Sequence, residues 1–150
     1  QSGLSPQQLA DVVVCIGPGS YTGLRTGISL VTCWQRNLPG IRLWPVTRFQ
    51  LVADTPQDAW VMLPALRQVA YVARLDAQHQ VSQPQSVDAT QWQPPDQVPV
   101  LAHPGVLTHC PPSLNAIALP QDVDPLAQAV ALWRQGRLQP VQGQLEPLYI

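Results

Sequence analysis

Residues 12 to 20 constrain the fold of this 150-residue chain more than any other stretch. Val12-Val13-Val14-Cys15-Ile16 is continuous, apolar and rich in β-branched side chains. That is the pattern of a strand covered on both faces, as in the middle of an α/β sheet. Gly17-Pro18-Gly19-Ser20 breaks it, and a helix is predicted from Tyr21 to Asn37 with Ser20 as N-cap. Pro39-Gly40 stops that helix. Ile41 to Val46 reads as a second short strand, and Thr47 caps a short helix reaching Ala53. Strand, helix, strand, helix is the alternation of a parallel α/β sheet, so the fold class is α/β.

The pattern changes after Pro56. Trp60 to Leu63 and Val69 to Leu75 read as two strands of a hairpin, with a weaker third strand from Gln80 to Val87. Val98 to Ala102 is a short strand whose Pro99 points to a sheet edge or a strand start. His103 to Pro112 is proline-rich and reads as irregular, and Asn115 to Leu119 as another short strand. Asp124-Pro125 opens a helix reaching Gln135, since Asp caps well and Pro suits the first helical position. Gly136 ends it, and Leu138 to Ile150 reads as extended. The division between two lobes falls near Asp54 to Asp58, giving units 1–54 and 55–150. The first residues, Gln1 to Asp11, read as the end of a preceding element.

Composition excludes several classes. The eight cations are all arginine and the net charge is −1, so no broad basic patch exists for nonspecific nucleic-acid binding. The apolar runs fall far short of the ~18 residues of a membrane span. Three cysteines, Cys15, Cys33 and Cys110, form no disulfide framework and fit a reducing cytoplasm. His103, His109 and Cys110 lie near one another in sequence, but zinc needs three or four ligands at recognisable spacing, so no metal is expected. Asp54 with Asp58, and Asp122 with Asp124, are explained by capping more simply than by acid–base chemistry. No catalytic residue can be nominated.

The glycine turn admits two readings. Gly17, Gly19 and Ser20, between a strand end and a helix start, form a candidate phosphate loop, where free N–H groups and the helix dipole favour an anion. They equally make a tight turn whose glycines serve backbone shape alone. The segment is neither a Walker A loop nor the dinucleotide fingerprint. On the helix that follows, Leu24, Ile28, Val31 and Leu38 fall on one stripe, with Gly27, Leu30 and Trp34 on the adjoining one. Arg25, Ser29, Thr32 and Arg36 occupy the polar side. The apolar arc of about 160° exceeds the ~100° stripe that one sheet requires. Either another part of the same domain covers the excess, or a partner helix does, approaching over Gly23 and Gly27.

Residues 17 to 27, Gly-Pro-Gly-Ser-Tyr-Thr-Gly-Leu-Arg-Thr-Gly, resemble the signature of the bacterial TsaB (YeaZ) family. Leu4 to Leu9, Pro45-Val46-Thr47 and the closing Pro147-Leu148-Tyr149-Ile150 resemble its flanking segments. The resemblance implies a two-lobed ASKHA (actin/Hsp70-like) fold whose first lobe lacks its N-terminal strands here. It implies a non-catalytic scaffold or dimerisation subunit in the complex that forms N6-threonylcarbamoyladenosine at position 37 of tRNA. Its partners would be a TsaD-like catalytic subunit and a TsaE-like ATPase, with a homodimer through nearly the same surface, contact with tRNA only through the complex, no cofactor and no membrane. The family's use of this helix places the partner interface on Gly23, Gly27, Leu30 and Trp34. The alternative is a nucleotide-binding phosphotransfer enzyme of the same superfamily using Gly17 to Ser20. Such chemistry needs carboxylates near the phosphates, and none occurs between Asp11 and Asp54.

Overall fold

The computed structural model describes residues 5–38, 40–141 and 143–150; the sequence readings at residues 1–4 and at Pro39 lie outside them. Strand β1 (Asp11–Gly17) pairs in parallel with β2 (Arg42–Thr47), in register Val12 to Leu43 and Val14 to Pro45. Helix α1 (Tyr21–Asn37) connects them. Its Ser20 Oγ accepts the Gly23 N–H at 3.3 Å, the side-chain cap the sequence calls for. Helix α2 (Arg48–Val52) follows β2 and opens with a reciprocal capping box. The Gln50 N–H donates to Thr47 Oγ1 at 3.4 Å, and the Thr47 N–H donates to Gln50 Oε1 at 2.9 Å.

The second sheet has five strands in the order β5-β4-β3-β6-β7. Strands β3 (Ala59–Pro64) and β4 (Val69–Leu75) form the antiparallel hairpin read from the sequence. Strand β5 (Gln85–Asp88) pairs with β4, while β6 (Val100–Ala102) and β7 (Ile117–Ala118) add in parallel beyond β3. Alternation along β3 sorts two cores onto opposite faces. Trp60 and Met62 join Ala70, Val72, Val100 and Val106 on one face. Val61 and Leu63 join Phe49, Ala53, Ala73 and Leu75 on the other.

The chain then returns to the first sheet. Helix α4 (Pro125–Arg134), capped by Asp124, sets Leu132 against Val46 and Leu51. Val141 bridges Leu43 on the outer edge of β2, and Leu145 joins Val14, Ile28, Val31 and Leu43 under α1. The β1–β2 pair is thus covered by α1 on one face and by α4 on the other. The strand read as doubly buried is so only in part: Val14 is buried, Val12, Val13 and Ile16 are half-buried, and Cys15 is exposed. Among the described residues no strand pairs with the second edge of β1.

Two local readings are corrected and a third is narrowed to one of its alternatives. His103 to Pro112 is not wholly irregular: it contains helix α3 (Pro104–Leu107), capped by His103 Nδ1, which accepts the Gly105 N–H at 3.0 Å. Histidine is not among the preferred capping residues, so Pro104 at the first helical position was the one signal of the start. The strand read from Gln80 to Val87 pairs continuously only at β5; Pro84 interrupts it, leaving a single bridge from Val81 to Leu75. Strand β6 is interior, between β3 and β7, and Pro99 precedes it as a strand start. Trp92 is half-buried edge-on against Trp60, with ring centroids 5.5 Å apart.

Candidate functional site

The glycine turn is packed from within. Gly17 has φ +119°, and the Gly17–Pro18 peptide is cis. A Cβ at Gly17 would lie 3.0 Å from both the Leu148 carbonyl oxygen and Leu24 Cδ1. The Leu148 N–H donates to the Ile16 carbonyl at 2.7 Å, which seats the C-terminal segment on the turn. Ser20 is engaged as the α1 cap. Gly19 stands open, with nothing within 4 Å of the place a methyl group would take. A cavity of about 500 Å³ does sit at the carboxyl ends of β6 and β7, walled by Arg48, Leu51, His103, Leu119, Gln121 and Pro125. Gly17, Gly19 and Ser20 do not line it, and neither does any carboxylate.

Helix α1 has two distinct flanks. Its inner arc buries Ile28 and Val31, with Leu24 and Leu38 half-buried, as the periodicity requires. On one flank lie the sequence-nominated residues Gly23, Gly27, Leu30 and Trp34. Leu30 is 49% exposed and Gly27 has open space above it, but Trp34 is half-buried against the α1–β1 core. Leu30 is therefore the exposed apolar side chain of that flank, while Trp34 packs on the domain's own core. On the other flank Tyr21, Arg25, Ser29 and Arg36 face residues 143–149 across a groove. Sequence reasoning did not connect Tyr149 with Tyr21, whose rings stack at 5.3 Å. Nothing local links positions 128 residues apart.

The remaining candidates are structural. Cys110 Sγ lies 3.5 Å from Met62 Sδ in the sheet core and His103 caps α3. Among the described residues no three His, Cys, Asp or Glu side chains are grouped to hold a metal. Asp58 is not a cap: it pairs with Arg74 at 2.6 Å, and Arg74 also reaches Asp96 at 3.1 Å. The Arg74 guanidinium holds the Asp58 carboxyl below its ordinary value. Among the described residues no helix is long and apolar enough to cross a membrane.

One titratable group was missed altogether. His79, 1% exposed and at φ 62°, sits in the turn after β4. Arg137 Nη1 donates to its Nδ1 at 2.6 Å, and its carbonyl accepts from Gln50 Nε2 at 2.7 Å. Its Nε2 has no hydrogen-bond partner and lies 3.7 Å from Asp54. Burial, then the Arg137 charge, push the ring pKa down; Asp54 and Asp76 oppose this without reversing it. The unfolded chain therefore takes up a proton below about 6.5 that the folded chain refuses. Stability from this group is complete above that pH and is lost as pH falls below it. The melting midpoint is expected to drop as pH falls below about 6.5, starting above the range of the carboxylates held low, Asp11, Asp58 and Asp88. His79→Asn, which tolerates positive φ, should flatten that slope. A ring pKa at or above 6.5 by NMR titration would refute the assignment.

No family model and no curated protein matches the chain. Solved structures do. YeaZ from Pseudomonas aeruginosa superposes with a TM-score of 0.69 at 17% sequence identity, over 99% of this chain and 76% of that one. A structure described as an uncharacterized protein with similarity to peptidase YEAZ from Pseudomonas aeruginosa gives a TM-score of 0.70 at 17% identity, over 98% and 76%. The chain has the fold of YeaZ.

Proposed function

We propose that this chain is a TsaB-like, non-catalytic partner subunit of the cytoplasmic assembly that forms threonylcarbamoyladenosine at position 37 of tRNA. It would dock a TsaD-like catalytic subunit through α1, with a TsaE-like ATPase joining the pair and tRNA met only through the complex. One observation carries the reading. The helix that follows the family-like Gly-Pro-Gly-Ser turn exposes Leu30 on a flank left open above Gly27. The YeaZ fold supports it. So does the turn itself, whose Gly17 is filled by Leu148 and Leu24.

The test is Leu30→Asp with co-purification of a TsaD-like subunit. Truncating a central apolar anchor commonly costs ~2 kcal/mol or more, and placing a charge there costs further. Binding should weaken at least about thirtyfold. The melting midpoint should stay unchanged, because Leu30 is half in water already. Wild-type affinity for TsaD in this variant would place the partner surface elsewhere.

A further inference from the structure

The second flank of α1 has features that the first does not need. Three contiguous depressions of about 450, 430 and 280 Å³ run between α1 and residues 143–149. The first two share Ile28, Ser29, Gln144 and Leu145, and the last two share Thr32, Arg36 and Gln144. Together they form one groove with a partly apolar floor and an arginine towards each end. Arg25 and Arg36 are eleven positions apart on the helix, or about 16 Å along its axis.

Charge gives the groove its sign. Helix α1 contains no Asp or Glu. Arg42 and Arg74 are paired with carboxylates, whereas Arg25 and Arg36 make no ion pair among the described residues. Arg25 is held in place: Nη1 donates to the Tyr21 hydroxyl, and its guanidinium lies 5.3 Å above the Tyr21 ring, which stacks on Tyr149. A cation fixed over an aromatic pair loses little freedom when an anion arrives. Glu146, the one carboxylate lining the groove, forms no ion pair among the described residues and is a weak local competitor.

We propose that this groove holds an extended acidic segment of a protein partner, with two carboxylates about 16 Å apart and an apolar side chain between them. Glutamates four residues apart in an extended chain lie on one face about 13 Å apart, with the residue midway between them on the same face, and the long side chains close the remainder. Two arginines neutralise too few phosphates to hold a nucleic acid. A second copy meeting α1 about a two-fold axis would set its own Arg25 and Arg36 against like charges. The proposal rests on the reading of α1 as the docking helix and adds the chemistry of what lies beside it.

The probe is fluorescein-labelled acetyl-Glu-Gly-Leu-Gly-Glu-amide, whose two glutamates and leucine share one face when extended, read by anisotropy at low salt against the 150-residue chain. Binding should fall at least about tenfold in the Arg25→Glu, Arg36→Glu double variant and with the peptide carrying glutamine for both glutamates. Glu146→Gln should tighten it, and Arg134→Glu should leave it unchanged. Both arginines are exposed, and an unchanged melting midpoint checks that the double variant is folded. Equal binding of the glutamine peptide, undiminished binding by the double variant, or tighter binding of a ten-nucleotide oligouridylate would each overturn the proposal. Leu30→Asp separates the two readings, since it should lose a TsaD-like subunit yet keep the peptide.

Discussion

Alanine in place of Gly17 is expected to destabilise the chain by ~2–4 kcal/mol, combining a strained backbone with an overpacked contact. At φ +119° a side chain is disfavoured whatever surrounds it. The surroundings are also closed: the new methyl would meet the Leu148 carbonyl and Leu24 Cδ1, each at 3.0 Å. The Leu148 carbonyl belongs to a backbone tied to Ile16 by a 2.7 Å hydrogen bond, so relief would separate the C-terminal segment from β1. Gly19→Ala is the control, because its methyl would enter open space at a φ outside the left-handed region. Urea denaturation of the two variants measures the contrast. Near-equal stabilities would mean that the turn is not packed by Leu148.

Phe49→Ala should cost ~3–5 kcal/mol, the range for truncating a fully buried aromatic ring. Phe49 is completely buried among Ala53, Val61, Leu63, Ala73, Leu75 and Leu119. It belongs to a five-residue helix that cannot persist alone. That helix leaves the first sheet through Thr47 and inserts its aromatic ring into the second. Loss of the ring should therefore loosen the junction between the sheets as well as lower the midpoint. Hydrogen exchange of the β3 amides, measured beside the melt, would register both effects. A cost below about 1 kcal/mol would show that the second sheet closes over the gap.

The sequence was most legible where structure is local. Strand β1, the cap at Ser20, helix α1, the capping box at Thr47 and the Asp124-Pro125 helix start each depend on residues within a few positions. The hairpin of β3 and β4 was legible too, because both runs are apolar and close together. What stayed hidden depends on distant partners. His79 stands in a polar turn that gives no sign of burial until Gln50 and Arg137 close on it. The groove along α1 has its second wall in residues 143–149, which carry no periodic pattern. The helical wheel placed Leu30 and Trp34 together, yet Trp34 reaches the core because its long side chain can lie along the flank. The YeaZ-like fold was legible from eleven residues of turn and helix, which the superposition over 99% of the chain supports.

The return of the chain to its first sheet also sets the order of assembly. Val14 and Val46 complete their packing with Leu132, Leu138 and Leu145, partners up to about 130 residues later, and contacts of such sequence separation slow folding because the intervening loop must close first. During synthesis, β1, α1 and β2 emerge with one face of their pair bare and must wait for residues 125–150 before it is covered. The second sheet has its own local hairpin and can form in that interval. The signature segment that reveals the fold is therefore among the last parts of the molecule to become solid, and through the wait one apolar face of its strand pair stays exposed.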